Sequence, residues 1–218
     1  MSGGWSKVSD TWRRDHPWAG IYSAAMAHPR LSRPLSRLTL GTDLSGLDDA
    51  IASIAAVRPG GVVLDVPCGA GLALIGLDPG HPVTYLGADL APAMLARARG
   101  SARRLRIAVP LLQADVGRLP LPDGAVDLCL SLTGLHCFPD PRAAVLELAR
   151  VTRDRLELTW FRSDVALHHR PVLVIGRAAG VIGASATISE VTGWLGEAGF
   201  TTRARREGAF GFVTARRA

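Results

Sequence analysis

Along this chain the spacing of apolar residues changes repeatedly, and each change marks a new element. Over residues 44–57 the apolar positions recur at helical spacing, and the run ends at Pro59-Gly60-Gly61, a turn signal. The period then switches. Val62, Val63, Leu64 and Val66 form a short, nearly continuous apolar run, the mark of a strand buried on both faces of a parallel sheet, with Asp65 interrupting it near its end. After Gly69-Ala70-Gly71, residues 72–77 predict a helix start, Pro79-Gly80-His81-Pro82 a turn, and residues 83–90 a second strand. Alternation continues with a helix over 92–102 that sets Met94, Leu95 and Ala98 on one face, and strands over 107–114 and 125–132. A helix over 141–151 and a strand over 155–161 follow.

The tail breaks this rhythm. Residues 188–198 predict a helix with Ser189 as its start and Gly199 as its stop, and residues 201–207 and 209–216 predict two strands joined by Gly208. The expected fold is α/β: a Rossmann-like, doubly wound, mostly parallel seven-stranded sheet whose C-terminal hairpin adds an antiparallel strand. Residues 1–60 are expected to form an N-terminal helical cap or lid segment and residues 61–218 the Rossmann-like domain, within a protein that is a single domain overall.

Composition changes this picture little. The formal charge of +6 raises a nucleic-acid reading, but residues 151–218 carry four of the excess charges and residues 1–60 two, so residues 61–150 are balanced. The most apolar long segment, residues 171–186, is shorter than the roughly 20 residues of a spanning helix and contains Arg177, which argues against a membrane span. No secretory pattern follows Met1, and the three cysteines, Cys68, Cys129 and Cys137, match neither a zinc ribbon nor a disulfide framework. Reduced thiols in a cytoplasmic protein are expected. His168 and His169 lack the companion ligands of a metal site, and none is expected.

In open α/β sheets ligands bind beyond the carboxyl ends of the strands, which directs attention to the loop Asp65-Val66-Pro67-Cys68-Gly69-Ala70-Gly71. Glycines there admit a ligand close to the backbone, although a Gly-x-Gly pair alone is equally the mark of a tight strand-to-helix turn. Leu74 stands where a dinucleotide fingerprint wants Gly or Ala, so the nicotinamide pattern is incomplete. Asp89 ends the second strand, where a carboxylate can accept from ribose hydroxyls, and Asp115 ends the third, where it could receive an adenine amino group.

With these residues the chain resembles the class I S-adenosylmethionine-dependent methyltransferases, most closely the small-molecule family that includes the ubiquinone and menaquinone biosynthesis enzymes. The matching text is Leu64 to Gly71, then Gly87-Ala88-Asp89-Leu90-Ala91-Pro92-Ala93-Met94-Leu95, then Gln113-Ala114-Asp115-Val116, Leu119 to Asp123, and Val126-Asp127. The resemblance implies that S-adenosylmethionine is the cofactor, with Gly69 and Gly71 facing its methionine part, Asp89 its ribose, and Asp115 with Val116 its adenine. Asp65 is expected to orient the loop, or the amino group through water, and Pro67, Leu90, Met94 and Ser131 to complete the cofactor site. One departure is Thr152-Arg153-Asp154-Arg155, where the family has Lys-Pro-Gly-Gly; its effect is expected at a sheet edge rather than at the cofactor.

On the acceptor side, the loop after the fourth strand contains His136, a candidate base because an imidazole titrates near working pH, and equally a packing residue. Trp18, Tyr22 and Met26 recur every four residues and form a helical stripe that either packs inward or encloses a small-molecule acceptor. Residues 163–186 are too long for an ordinary connection and suggest a lid. The competing readings are an RNA methyltransferase guided by Arg203, Arg205, Arg206, Arg216 and Arg217, and a cofactor-binding partner subunit without catalysis.

Overall fold

The computed structural model describes residues 29–218. Its strands are β1 (Val62–Asp65), β2 (Thr84–Asp89), β3 (Leu111–Gln113), β4 (Val126–Leu132), β5 (Thr152–Phe161), β6 (Phe200–Glu207) and β7 (Phe210–Arg217). They form one seven-stranded sheet in the order β3-β2-β1-β4-β5-β7-β6. The first five run parallel, and β7 enters antiparallel between β5 and β6, as the alternating and then hairpin pattern of the sequence predicts.

The core divides at the sheet. In β4 all seven residues are buried, and their alternation sends Leu128, Leu130 and Leu132 to one face and Cys129 to the other. On the first face they meet Leu47, Ile51 and Ile54 from helix α2 (Ser45–Ala52) and the short 3-10 turn after it. On the second, Leu64, Leu156 and Leu158 meet Val145 and Leu148 of α4 (Pro141–Val151) and Val191 and Leu195 of α6 (Ile188–Glu197). Each fully buried leucine contributes about 1.5 to 3 kcal/mol, so this double-sided burial is the main reason the central strands stay together. The remaining helices are α1 (Pro29–Leu40), α3 (Pro92–Leu105) and α5 (Arg170–Ala178).

Several elements differ from their sequence expectation, each for a local reason. Residues 72–77 form a 3-10 turn, Leu72–Gly76, rather than an α-helix, because Ile51 of α2 and Ile54 of the turn after it already lie against Gly76, where a Cβ would stand 2.6 Å from Ile51 Cγ2. The third strand shrinks to Leu111–Gln113, since Pro110 has no N–H with which to extend the ladder. The last helix starts from Thr187, not Ser189: the Thr187 side chain accepts from Glu190 N–H and the Glu190 side chain accepts from Thr187 N–H, a complete capping box. The long connection after β5 contains a 3-10 turn, Leu167–His169, and α5.

Strand β5 begins at Thr152, so the departure Thr152-Arg153-Asp154-Arg155 lies at the amino end of an internal strand and not at a sheet edge. There Arg153 Nη2 donates to Asp127 Oδ1 at 2.6 Å, and Arg155 pairs with Glu157. Two arginine pairs thus anchor this strand start.

Candidate cofactor and acceptor site

The parallel register brings the carboxyl ends of the strands level: Asp65 lies beside Gly87, Ala88 beside Leu112, and Asp89 beside Gln113. The loop after β1 is then tied to its neighbours by backbone bonds, Val66 N–H to Leu130 O at 2.9 Å and Cys68 N–H to Ala88 O at 2.8 Å. Asp89 closes the clamp. Its Oδ2 accepts from Gly69 N–H and its Oδ1 from Ala91 N–H, each at 2.9 Å. Ser101 of α3 donates to Ala70 O at 2.8 Å, so the loop is also pinned from the helix side.

The two loop glycines differ in what surrounds them. Gly69 has φ +51°, and a Cβ there would meet no atom within 4 Å, so its outer side is open to a ligand. Gly71 has φ +84°, but a Cβ there would stand 2.6 Å from Leu74 Cδ1. A Cβ at Gly71 would thus turn inward onto Leu74, whereas one at Gly69 would turn outward.

Beneath this loop lie two buried acids. Asp65 accepts from Tyr85 Oη–H at 2.6 Å; burial pushes its carboxyl up to about 7, with the Tyr85 bond opposing and Asp89 adding to the rise. Burial likewise raises Asp89, against the pull of its backbone donors at Ala91, Gly69 and Leu90. Ser131, on β4, is buried with a hydroxyl that finds no partner among the described residues. On the β3 side Asp115 is exposed and accepts from Gly117 N–H at 2.9 Å, while Val116 enters the core. Leu90 O accepts from the Gln113 side chain at 3.2 Å, and Met94 is buried against Ala91. These residues converge on one end of the sheet.

The acceptor-side loop leaves β4 through Thr133, whose φ is +55° and whose N–H donates to Thr159 Oγ1 at 2.8 Å. Pro67 packs on the Gly134 backbone, which joins this loop to the one after β1. His136 follows in the 3-10 turn Leu135–Cys137 and is only 5% exposed. Its Nδ1 accepts from Phe161 N–H at 3.3 Å, and its ring meets Phe161 edge-on at 4.9 Å. Burial pushes the imidazole down to about 3, so it is neutral at working pH rather than titrating there. The segment after α5 covers this turn, with Gly183 N–H donating to His136 O at 2.8 Å. Trp18, Tyr22 and Met26 lie outside the described residues.

Sequence reasoning missed Tyr85, Phe161 and Arg162. Tyr85 carries no motif signal, because only the register of β1 and β2 brings its hydroxyl to Asp65, 20 positions away. Arg162 is 2% exposed, pairs with Asp164 and donates to Gly208 O at 3.0 Å. Four of the five C-terminal arginines, by contrast, have internal partners. Arg205 pairs with Asp49 and Glu207, Arg206 with Asp164, Arg216 with Asp154, and Arg217 donates to the carbonyls of Ala149 and Thr152. An RNA surface built from them would have to break those bonds.

Comparison with known proteins agrees with the geometry. A family model described as a methyltransferase domain matches residues 64–155. A malonyl-acyl-carrier protein O-methyltransferase of Serratia marcescens is 37% identical over 62% of this chain and 45% of its own length. A demethylmenaquinone methyltransferase of Thermus thermophilus is 37% identical over 52% of each. The chain thus spans about half the length of these relatives. Among solved structures, magnesium protoporphyrin IX methyltransferase from Synechocystis PCC 6803 with bound SAH superposes with a TM-score of 0.61 at 19% identity, covering 79% of this chain and 84% of that one. Over residues 64–155, therefore, this chain is similar to methyltransferase domains, and its fold is shared with solved methyltransferases.

Proposed function

We propose that this protein transfers a methyl group from S-adenosylmethionine to a small-molecule acceptor, bound where the loops after β1 and β4 meet. The observation that carries the reading is the Asp89 clamp. A carboxylate offers about four lone-pair sites; the N–H groups of Gly69 and Ala91 take one on each oxygen and Leu90 N–H adds its pull, which leaves at least one site for a ribose hydroxyl. The open side of Gly69 and the unpartnered Ser131 hydroxyl at the same end of the sheet support it. In this reading Asp65, Pro67, Gly69, Leu90, Met94 and Ser131 hold the methionine and ribose parts, and Asp115 with Val116 the adenine. Gly71 shapes the turn and brings its backbone to the methionine part.

When bound, the cofactor supplies a methyl group on a positively charged sulfur, an electrophile that needs no covalent help from the protein. The protein's task is orientation, which can supply roughly 7 to 11 kcal/mol of such a barrier. Pro67 against Gly134 fixes the spacing of the two loops, and the neutral His136 serves the acceptor as an orienting hydrogen-bond partner or wall. The stripe of Trp18, Tyr22 and Met26 is proposed to close over the acceptor. A cytoplasmic location is supported by three unpaired cysteines and by the lack, among the described residues, of a helix long and apolar enough to cross a membrane.

The test is incubation with methyl-labelled S-adenosylmethionine and a fractionated small-molecule extract. Label is expected in one small-molecule fraction. Label found only in RNA would replace the acceptor class, and calorimetric cofactor binding with no transfer to any fraction would leave a binding subunit.

A further inference from the structure

An amphipathic helix in a globular protein normally turns its leucines inward. α1 does the reverse. Its Ser36 is buried, Arg33 is half-buried in a pair with Asp48, and Leu40 packs against the core, whereas Leu35 and Leu38 are 60% and 82% exposed. At helical spacing those two leucines fall on the side opposite Arg33, Ser36 and Leu40. α5 repeats the arrangement: Leu173 is buried, while Val174 and Ile175 are 63% and 57% exposed and Leu167, two turns before Val174, is 74% exposed. Of the seven exposed large hydrophobic residues among those described, five lie in these two helices or in the 3-10 turn that leads into α5. They also adjoin, since His169 at the start of α5 donates from Nδ1 to Thr39 O near the end of α1, at 3.1 Å.

The charge around these rows has one sign. Residues 29–40 and 167–178 together hold five arginines and two histidines and no Asp or Glu. Arg33 and Arg37 are paired with Asp48 and Asp43 outside those segments, whereas Arg170 and Arg177 flank the Val174 row and have no ion pair among the described residues. Aliphatic side chains standing outward between unpaired guanidinium groups match the layered chemistry of an acidic lipid surface, apolar below and anionic above. A second copy of this chain fits worse, because the same face would bring arginines against arginines.

We infer that this face docks on an anionic bilayer, with Leu35, Leu38, Leu167, Val174 and Ile175 entering the interfacial layer and Arg170 and Arg177 meeting acidic headgroups. The connection that carries α5 also covers the His136 turn, so docking would set the acceptor side of the molecule close to the membrane. The inference goes beyond the methyl-transfer reading and does not depend on it.

Co-sedimentation of the full chain with vesicles tests it. Strong partition is expected onto vesicles of phosphatidylcholine with about one third phosphatidylglycerol, weak partition onto phosphatidylcholine alone, and weakening with salt. Leu38→Asp and, separately, Ile175→Asp should each lower the partition coefficient roughly tenfold or more with an unchanged melting temperature. Leu35→Ser serves if either variant folds poorly, and Arg170→Ser with Arg177→Ser should remove most of the preference for anionic vesicles. Wild-type protein that stays in the supernatant, or variants that bind as well as wild type, would overturn the assignment. So would a wild-type dimer that Leu38→Asp dissociates, since a second copy would then cover the face.

Discussion

The two ends of the sheet treat the same residue type in opposite ways. At the amino end Asp127 is surrounded by donors: Val62 N–H reaches its Oδ2 at 2.8 Å, Arg153 its Oδ1 at 2.6 Å, and Arg58 stands at 3.5 Å. Burial pushes this carboxyl upward, but the Val62 and Arg153 hydrogen bonds win and hold it below the usual range. Nearby Glu147 is likewise lowered, chiefly by the Arg150 hydrogen bond, and Arg150 also donates to the carbonyls of Leu119 and Leu121. At the carboxyl end Asp65 and Asp89 are buried without any cation, and both are raised. Acids at one end are paired with arginines; at the other they have only neutral donors, Tyr85 for Asp65 and backbone N–H groups for Asp89. Perturbed acids without an internal cation point to functional ground, and paired ones to scaffolding.

The sharpest way to break the carboxyl end is Gly71→Val. A branched residue at φ +84° facing Leu74 is strained and overpacked at once, and cofactor binding in calorimetry should be abolished together with a loss of several kcal/mol of stability. Normal binding would sink the loop geometry. Asp89→Ala comes next. It removes the proposed ribose acceptor, worth about 1.5 to 3 kcal/mol, so affinity for S-adenosylmethionine should fall more than tenfold. Because Gly69 and Ala91 N–H also lose their acceptor, a smaller drop in melting temperature should accompany it.

Asp127→Ala is the matching cut at the other end. It strands the Val62 N–H and frees Arg153, at a cost of about 1 to 3 kcal/mol in denaturant unfolding, with cofactor affinity of the folded protein unchanged. A change in affinity larger than the change in stability would erase the distinction between the two ends. Smaller still, His136→Asn should lower turnover modestly and leave the pH profile between about 5 and 8 unaltered, because the wild-type imidazole is already neutral across that range. A wild-type acid limb near 6 that vanishes in His136→Asn would restore a proton-accepting role.

How much of this was legible before the structure depends on whether the cause was local. Strand identity at Val62 to Val66, the position of Asp89 at a strand end, and the closing hairpin all follow from residues adjacent in the chain. The failures share a non-local cause. Residues 72–77 read as a helix because nothing in them announces that α2 already covers that face. His136 looked titratable because its burial is created by Phe161 and by the segment that reaches Gly183, 47 positions on. That a Cβ at Gly71 would meet Leu74 while one at Gly69 would meet nothing is likewise set by the folded loop and not by its sequence. The pairing of Tyr85 with Asp65 is set by strand register alone.

That pairing supplies the finest test of the comparison. The Asp65 carboxyl rises from an ordinary 3.8 to about 7 in the folded protein, first through burial, so the folded state binds its proton more tightly than the unfolded chain does. The sign follows: its contribution to stability is fully present below about 4 and is lost progressively as the pH climbs through 7. Asp65→Asn keeps an acceptor for the Tyr85 hydroxyl and never becomes charged. The variant should therefore gain stability relative to wild type as pH rises across that window, with the difference levelling off above it; Asp127 and Glu147 titrate in both proteins and cancel. Cofactor binding should show the reverse preference. A ligand bearing a positive sulfur favours ionised Asp65, so wild-type affinity for S-adenosylmethionine should rise a few-fold between about pH 6 and 8. The demethylated product, whose sulfur is neutral, should show less of that rise, and Asp65→Asn should show none with either ligand. Calorimetry at the two pH values with both ligands decides it: equal pH dependence for cofactor and product would mean that the buried acid does not sense the sulfonium charge.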